Sequence, residues 1–302
     1  MAVAAAPRGR LTRRLFGRDL IGYAFVAPYA IFLVALFGYP LLLAANISFF
    51  DYFFAAPGAE VERPFVGLDN YTQILGDPVF HRALFNVAEF IAINVPLTVV
   101  LALVLASALN AKLPFRTFFR TSYYVPYVTA SVAVIGVLLW LFSGNGLLNE
   151  VLGPLAPDPS WLVNSTWAMP VIALSVTWKQ LGFYILLYLA ALQNIPRELY
   201  EAAEVDGAGR LRRFLSITVP GVRPATTLVV ILATIIGANL FTEPYLLTGG
   251  GGPNGASMSP VLMMYQAGIE QGRAGYAAAI GVILAIAVMT ISAIQRFVLE
   301  RD

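Results

Sequence analysis

"ELYEAAEVDGAGRLRRFLSITVP", residues 198–220, is a highly charged stretch in an otherwise apolar chain. Asn194 and Pro196 suit a helix start just before it. Glu198, Glu201 and Glu204 then lie toward the positive end of the helix dipole. Leu199, Ala202, Ala203 and Val205 give that helix an apolar side rich in small residues. Asp206-Gly207-Ala208-Gly209 ends it, because glycine supplies the positive φ that a helix C-terminus favours. Arg210 to Ser216 restarts a helix with Leu211, Phe214 and Leu215 on one side and Arg212 and Arg213 on another. Pro220 and Pro224 reset the chain into the next apolar run. The residues alone allow two readings. A short helix with small residues at its tip fits a groove on another protein, and a basic amphipathic loop also fits a lipid surface, its arginines on phosphates.

The surroundings of this stretch define the class of molecule. Hydrophobic residues make up 59% of the 302 and charged residues 12%, against about half and about a quarter in a soluble domain. A soluble fold could not hide that excess, so the composition predicts an all-α integral membrane protein. Six apolar segments are long enough to cross, near 20–49, 83–110, 119–143, 166–193, 225–247 and 276–298. Each meets the roughly 20 helical residues that a hydrocarbon core requires. The first follows the basic segment 1–19 and lacks a cleavage pattern, which predicts an uncleaved anchor. There is no cysteine and only one histidine, His81, so thiolate, His-cluster and Ser/His/Asp chemistry have no foundation.

Basic residues set the expected orientation. With the N-terminus inside, 15 Lys and Arg fall on the cytoplasmic side, and only Arg63, Arg82 and Arg273 fall opposite. That asymmetry predicts both termini in the cytoplasm, with 194–224 as the longest cytoplasmic loop. On the other side, Asp69 is expected to cap one short helix and Asp77-Pro78 to start another, leading into the second span. Residues 143–161 read as a turn-rich loop with one helical turn, and 248–260 as a flexible loop. The run at 249–252 lacks the Gly-Lys-Ser/Thr of a nucleotide-binding loop. No internal repeat or separate soluble domain is apparent, so 20–302 reads as one membrane domain.

Ionisable groups inside spans are costly and point to function. They are Glu89, Lys179 and Glu243, with Asn94, Gln180 and Asn239 as uncharged polar companions. Lys179 stands mid-span, where it cannot reach the interface and needs a partner or an aqueous cavity. For Glu89 and Glu243, near the outer ends of their spans, an interfacial or structural role is the stronger claim. Trp140, Trp167 and Trp178 read as packing or membrane-belt aromatics.

The run Glu201-Ala202-Ala203, three residues, Gly207, nine residues, Ile217, one residue, then Val219-Pro220 resembles the EAA loop of permease subunits of binding-protein-dependent ABC importers. Val219 stands where that pattern has leucine. "VGLDNYTQILGDPVF", "YYVPYVTASVAV", "LAALQNIPRELYEAAEVDGA" and "YLLTGGGGPNG" extend the resemblance to the maltose- and glycerol-phosphate-type first permease subunit of the carbohydrate branch. The resemblance implies the six-span type I importer fold in the bacterial inner membrane. It implies that Glu201, Ala202, Ala203, Asp206 and Gly207 dock a cytoplasmic ATPase. The partners implied are a second related permease, two ATPase subunits and an external solute-binding protein, with lipid but no nucleic acid. No cofactor is expected in this chain, since ATP and magnesium belong to the ATPase, and no enzymatic activity is expected. Register against the maltose type places solute-facing positions on Val176, Lys179, Gln180, Phe183, Ala233, Gly237 and Leu240. Asn239, Glu243 and Tyr127 are added as polar or aromatic candidates for the path. The solute expected is a di- or oligosaccharide, with a glycerol-phosphate-type solute as the alternative. A stand-alone secondary transporter would favour inverted repeats and midplane ion ligands. A membrane enzyme would want paired carboxylates or histidines.

Overall fold

The computed structural model describes residues 19–55, 58, 61–111 and 115–299, with no side-chain description for 19–21. Most of the basic segment 1–19 and the C-terminal residues 300–302 therefore lie outside the described residues. The first apolar segment forms α1, which runs as Asp19–Leu33, a π turn Val34–Gly38 and Tyr39–Ile47. Its apolar window, Gly22–Ile47, is unburied by the rest of the chain. It touches the other spans through the Tyr39–Ile47 part, which lies on the last helix. Short α2 (Asp69–Leu75) follows, then α3 (Pro78–Asn110).

Asp77 starts α3 as expected, its carboxylate accepting from Val79 N–H at 2.8 Å, with Pro78 in the first turn. Asp69 departs from expectation. Leu68 occupies the N-cap and Asp69 is the first residue of α2, where it complements the dipole without capping. The helix that carries the second span thus begins at Pro78 and runs to Asn110.

The predicted third span, 119–143, is broken. It consists of α4 (Arg116–Val128) and α5 (Ser131–Leu141), which meet at 96°. Two causes are visible. Thr129 and Ala130 leave the helical region, with ψ of 139° and 130°, and α4 is held at very close range by the fourth span. That span is α7 (Ala168–Leu192), preceded by short α6 (Leu147–Leu152) and two single turns. Residues 143–161 thus carry more helix than the single turn expected.

The segment 194–224 gives α8 (Arg197–Val205), then α9 (Arg210–Arg213), a π turn Phe214–Thr218 and a final turn Val219–Gly221. Pro196, rather than Asn194, sits at the N-cap of α8. The fifth span is α10 (Arg223–Ala238), interrupted at 239–241 before α11 (Thr242–Leu246). Next come α12 (Pro260–Tyr265), a π turn Gln266–Glu270 and α13 (Ala274–Leu299). Among the described residues, five helices are long and apolar enough to cross a membrane, and the bent pair α4–α5 makes up to six.

Packing centres on α3 against α7, with α10 on α3 and α13 on α10. Buried polar pairs cross these contacts. Asn94 donates to Thr177 at 2.7 Å, joining α3 to α7. Tyr188 donates to Thr226 at 3.1 Å, joining α7 to α10, and Gln295 donates to Thr234 at 2.8 Å, joining α13 to α10. In hydrocarbon each such bond contributes about 0.6 kcal/mol on average, so they orient helices that apolar packing holds together.

Residues 248–260 are ordered rather than flexible. Gly249, Gly250, Gly251 and Gly252 all have positive φ, from 66° to 116°, a path open to glycine. Distant side chains fix that path. Asn86 donates to the carbonyls of Gly255 and Met258 at 2.7 and 2.9 Å, Gln266 donates to Gly250 O, and buried Ser259 donates to Leu240 O.

Candidate functional site

The segment 194–224 ends α8 in a complete Schellman motif. Gly207, at φ +72°, donates to Glu204 O at 3.1 Å, and Ala208 donates to Ala203 O at 2.8 Å. These are the two bonds the motif requires. A side chain added at Gly207 would meet no atom of this chain within 4 Å, so the turn faces open space. The helix has two distinct sides. Tyr200 and Ala203 are half-buried against the body, whereas Glu198, Leu199, Glu201, Ala202, Val205 and Asp206 are exposed. The paired alanines thus divide, Ala203 inward and Ala202 outward. Val205 is 88% exposed and continues the apolar row Leu199–Ala202–Val205. Leu199, Ala202 and Val205 thus present apolar surface away from the body. An ion pair, Arg213–Glu204 at 3.2 Å, ties α9 back to α8. Being exposed, it contributes about 0–1 kcal/mol.

The candidates within the spans form two groups. Lys179 on α7 donates to Ser131 at the start of α5. It lines a narrow cleft with Ser131, Ser175, Val176 and Glu243, and Glu243 lies in the field of its ammonium. The broken third span and the interruption before α11 place these groups together: Ser131 follows the first break and Glu243 follows the second. One turn further along α7, Phe183 stacks on Tyr127 with centroids 5.2 Å apart and planes 16° apart. Tyr124 and Tyr184 adjoin them at 5.5 and 5.4 Å, and Gln180 accepts a long bond from Tyr184. Charged groups therefore lie at one level and a four-ring aromatic patch at the next.

The remaining candidates lie apart from these two groups. Asn239 is exposed at the end of α10 and donates to its own Ile235 O at 2.8 Å. Ala233 and Leu240 are buried in apolar packing, and Gly237 packs against Phe90 and Ile91. Glu89 stands half-buried on α3, near the charge of Arg82.

Sequence reading missed Ser131, Tyr124, Tyr184 and Gly182. The i, i+3 spacing of Tyr124 and Tyr127 and the i, i+4 spacing of Gln180 and Tyr184 were available signals. Gly182 is where α4 crosses α7. A Cβ there would lie 2.2 Å from Tyr123 O and 2.8 Å from Tyr124 Cα. Small residues permit this approach between membrane helices. Gly182→Ala is expected to force the helices apart and lower stability by about 1–3 kcal/mol, the usual cost of overpacking. It would be read as a lower thermal unfolding midpoint in detergent, and an unchanged midpoint would refute the crossing. Beside this site, the α4–α5 elbow and α7 enclose an apolar groove of about 640 Å³, lined by Val125, Val137, Leu174 and Trp178. It offers little hydrogen-bonding capacity to a polar solute.

Bundled apolar helices long enough to cross a membrane make this a multi-span membrane protein, with a small cleft at two helix breaks and an exposed, glycine-terminated helix outside the bundle. The chain belongs to the family of binding-protein-dependent transport system inner membrane components, whose pattern matches residues 98–301. It is 36% identical to the arabinooligosaccharides transport system permease protein AraP of Bacillus subtilis, over 93% of this chain and 88% of that one. It is 34% identical to the lactose transport system permease protein LacF of Rhizobium radiobacter, over 92% and 93% of the two chains. In fold it superimposes on a chain of a bacterial ABC transporter involved in import of the acidic polysaccharide alginate. The TM-score is 0.81 at 23% identity, covering 95% of this chain and 98% of that one. The fold is thus that of a type I ABC importer permease.

Proposed function

We propose that this chain is the permease subunit of an ATP-driven importer that moves a di- or oligosaccharide across the bacterial inner membrane. It pairs with a second permease, two ATPase subunits and an external solute-binding protein, and it works by alternating access. The 194–224 segment lies on the cytoplasmic side, and α8 docks in an ATPase. The observation that carries the coupling role is the Schellman turn at Gly207, which presents Leu199, Ala202 and Val205 outward from the body. ATPase closure then pushes α8, and the spans reopen to the outside. Carbohydrate relatives at 34–36% identity over more than nine tenths of the chain support the solute class.

The cleft is closed to about 10 Å³ here, and the groups around it suit a neutral polyol once the spans open. Sugars take hydroxyl hydrogen bonds and an apolar or aromatic face, and Lys179, Gln180, Tyr127 and Phe183 supply those. An anionic solute would want an uncompensated cation, whereas Glu243 shares the cleft with Lys179. The test reconstitutes the complex with its binding protein and measures ATPase stimulation across a panel of oligosaccharides and glycerol phosphates. Stimulation by a neutral oligosaccharide is expected, and stimulation restricted to glycerol phosphates would overturn the solute assignment.

A further inference from the structure

We propose that the Tyr200–Thr218 hydrogen bond is the strut through which movement of α8 reaches α10, and that Ser107 of α3 receives its hydroxyls when the segment shifts. The proposal rests on the coupling role of α8 and names the residues that transmit it. Tyr200 and Thr218 lie 2.9 Å apart, hydroxyl to hydroxyl. Tyr200 is on the inward side of α8, and Thr218 is buried at the end of the π turn that leads into Val219–Gly221 and α10. A second contact backs the strut. A Cβ at Gly221 would come within 2.7 Å of Ile195 Cδ1, just ahead of α8. Residues preceding and within α8 thus bear on the base of the fifth span.

Behind this bond lies a pocket of about 290 Å³, lined by Ser107, Asn110, Ala111, Leu192, Tyr200 and Thr218. Ser107 Oγ is buried and has no hydrogen-bond partner. A buried hydroxyl without a partner is unfavourable and calls for an explanation. Here it shares one pocket with a pair of hydroxyls joined to each other, at the junction of the moving segment and two spans. That is the composition of a two-position hydrogen-bond element, which coupling between distant sites requires. The adjoining π turn, Phe214–Thr218, carries the extra residue per turn that lets a helix change register locally.

The test is transport by the full complex in vesicles, read as solute moved per ATP hydrolysed. Tyr200→Phe and Thr218→Val are each expected to lower that ratio by about three- to tenfold, the effect of one hydrogen bond. The double variant should be no worse than either alone, since both remove the same bond. Ser107→Ala should lower the ratio about threefold without lowering the thermal midpoint, since the hydroxyl it removes is unpartnered at rest. Ser107→Thr, which keeps the hydroxyl, should retain the wild-type ratio. A wild-type ratio in Ser107→Ala, or additive losses in Tyr200→Phe/Thr218→Val, overturns the strut. Gly207→Val separates the coupling role from the strut. If it keeps coupled transport, the coupling role falls and the strut with it. If it abolishes coupling while all the hydroxyl variants keep the wild-type ratio, the strut alone falls.

Discussion

Gly207→Val should reduce uptake by the assembled transporter at least tenfold and abolish binding-protein-stimulated ATPase activity, while the chain still folds and assembles. The cause is local. Gly207 occupies the left-handed region at φ +72°, which costs an L residue about 1–2 kcal/mol, and valine, branched at Cβ, is a genuine outlier there. A Cβ there meets no atom of this chain within 4 Å, so the damage arises from the backbone rather than from a clash at the Cβ. The chain instead leaves α8 in another direction. The Schellman bonds to Ala203 and Glu204 are lost, and the Leu199–Ala202–Val205 face turns away from its partner. Gly207→Ala, whose Cβ is smaller and unbranched, should show an intermediate defect. Uptake kinetics equal to wild type in the valine variant would remove α8 from the coupling path.

Lys179→Met should lower uptake by about ten- to a hundredfold, the range expected for one hydrogen bond to a charged group, with co-purification of the complex preserved. Methionine keeps much of the side-chain volume. It removes the donor to Ser131 and leaves Glu243 without the charge that faces it in the cleft. An unmatched carboxylate in low dielectric is unfavourable in itself. The companion variant Lys179→Met/Glu243→Gln separates that penalty from contact with the solute. It should recover thermal stability but not uptake if the two groups work on the solute path. Recovery of uptake in the double variant would make the pair purely structural, and unchanged kinetics in the single variant would exclude Lys179 altogether.

Helix α8 is legible in sequence because its determinants are local. The acids, the alanines and Gly207 lie within one short helix and its cap, and hydrophobic length marks the spans equally well. The elbow is not legible. Residues 119–143 are apolar across the break, and Pro126 lies inside α4 rather than at its end. The break at Thr129–Ala130 goes with packing from far along the chain, the close crossing at Gly182 and the contact of α11 with α5. The glycine run at 249–252 misleads for a related reason. Glycine content signals conformational freedom, but Asn86, about 170 residues away in sequence, holds that loop in one path. The partners of Lys179 belong to the same class. Ser131 is 48 residues distant, and only two helix breaks bring it and Glu243 to one cleft.

The 96° elbow also bears on how the membrane stays sealed. At about 1.5 Å per residue, the 11 residues of α5 span about 16 Å, and the 13 of α4 about 20 Å. Each is short of the roughly 30 Å of hydrocarbon. Carbonyl and amide groups freed at the bend cannot face acyl chains and must meet water or protein. The third crossing therefore depends on the elements packed against its bend, α7 at Gly182 and α11 on α5, to cover backbone that neither short helix can shield alone.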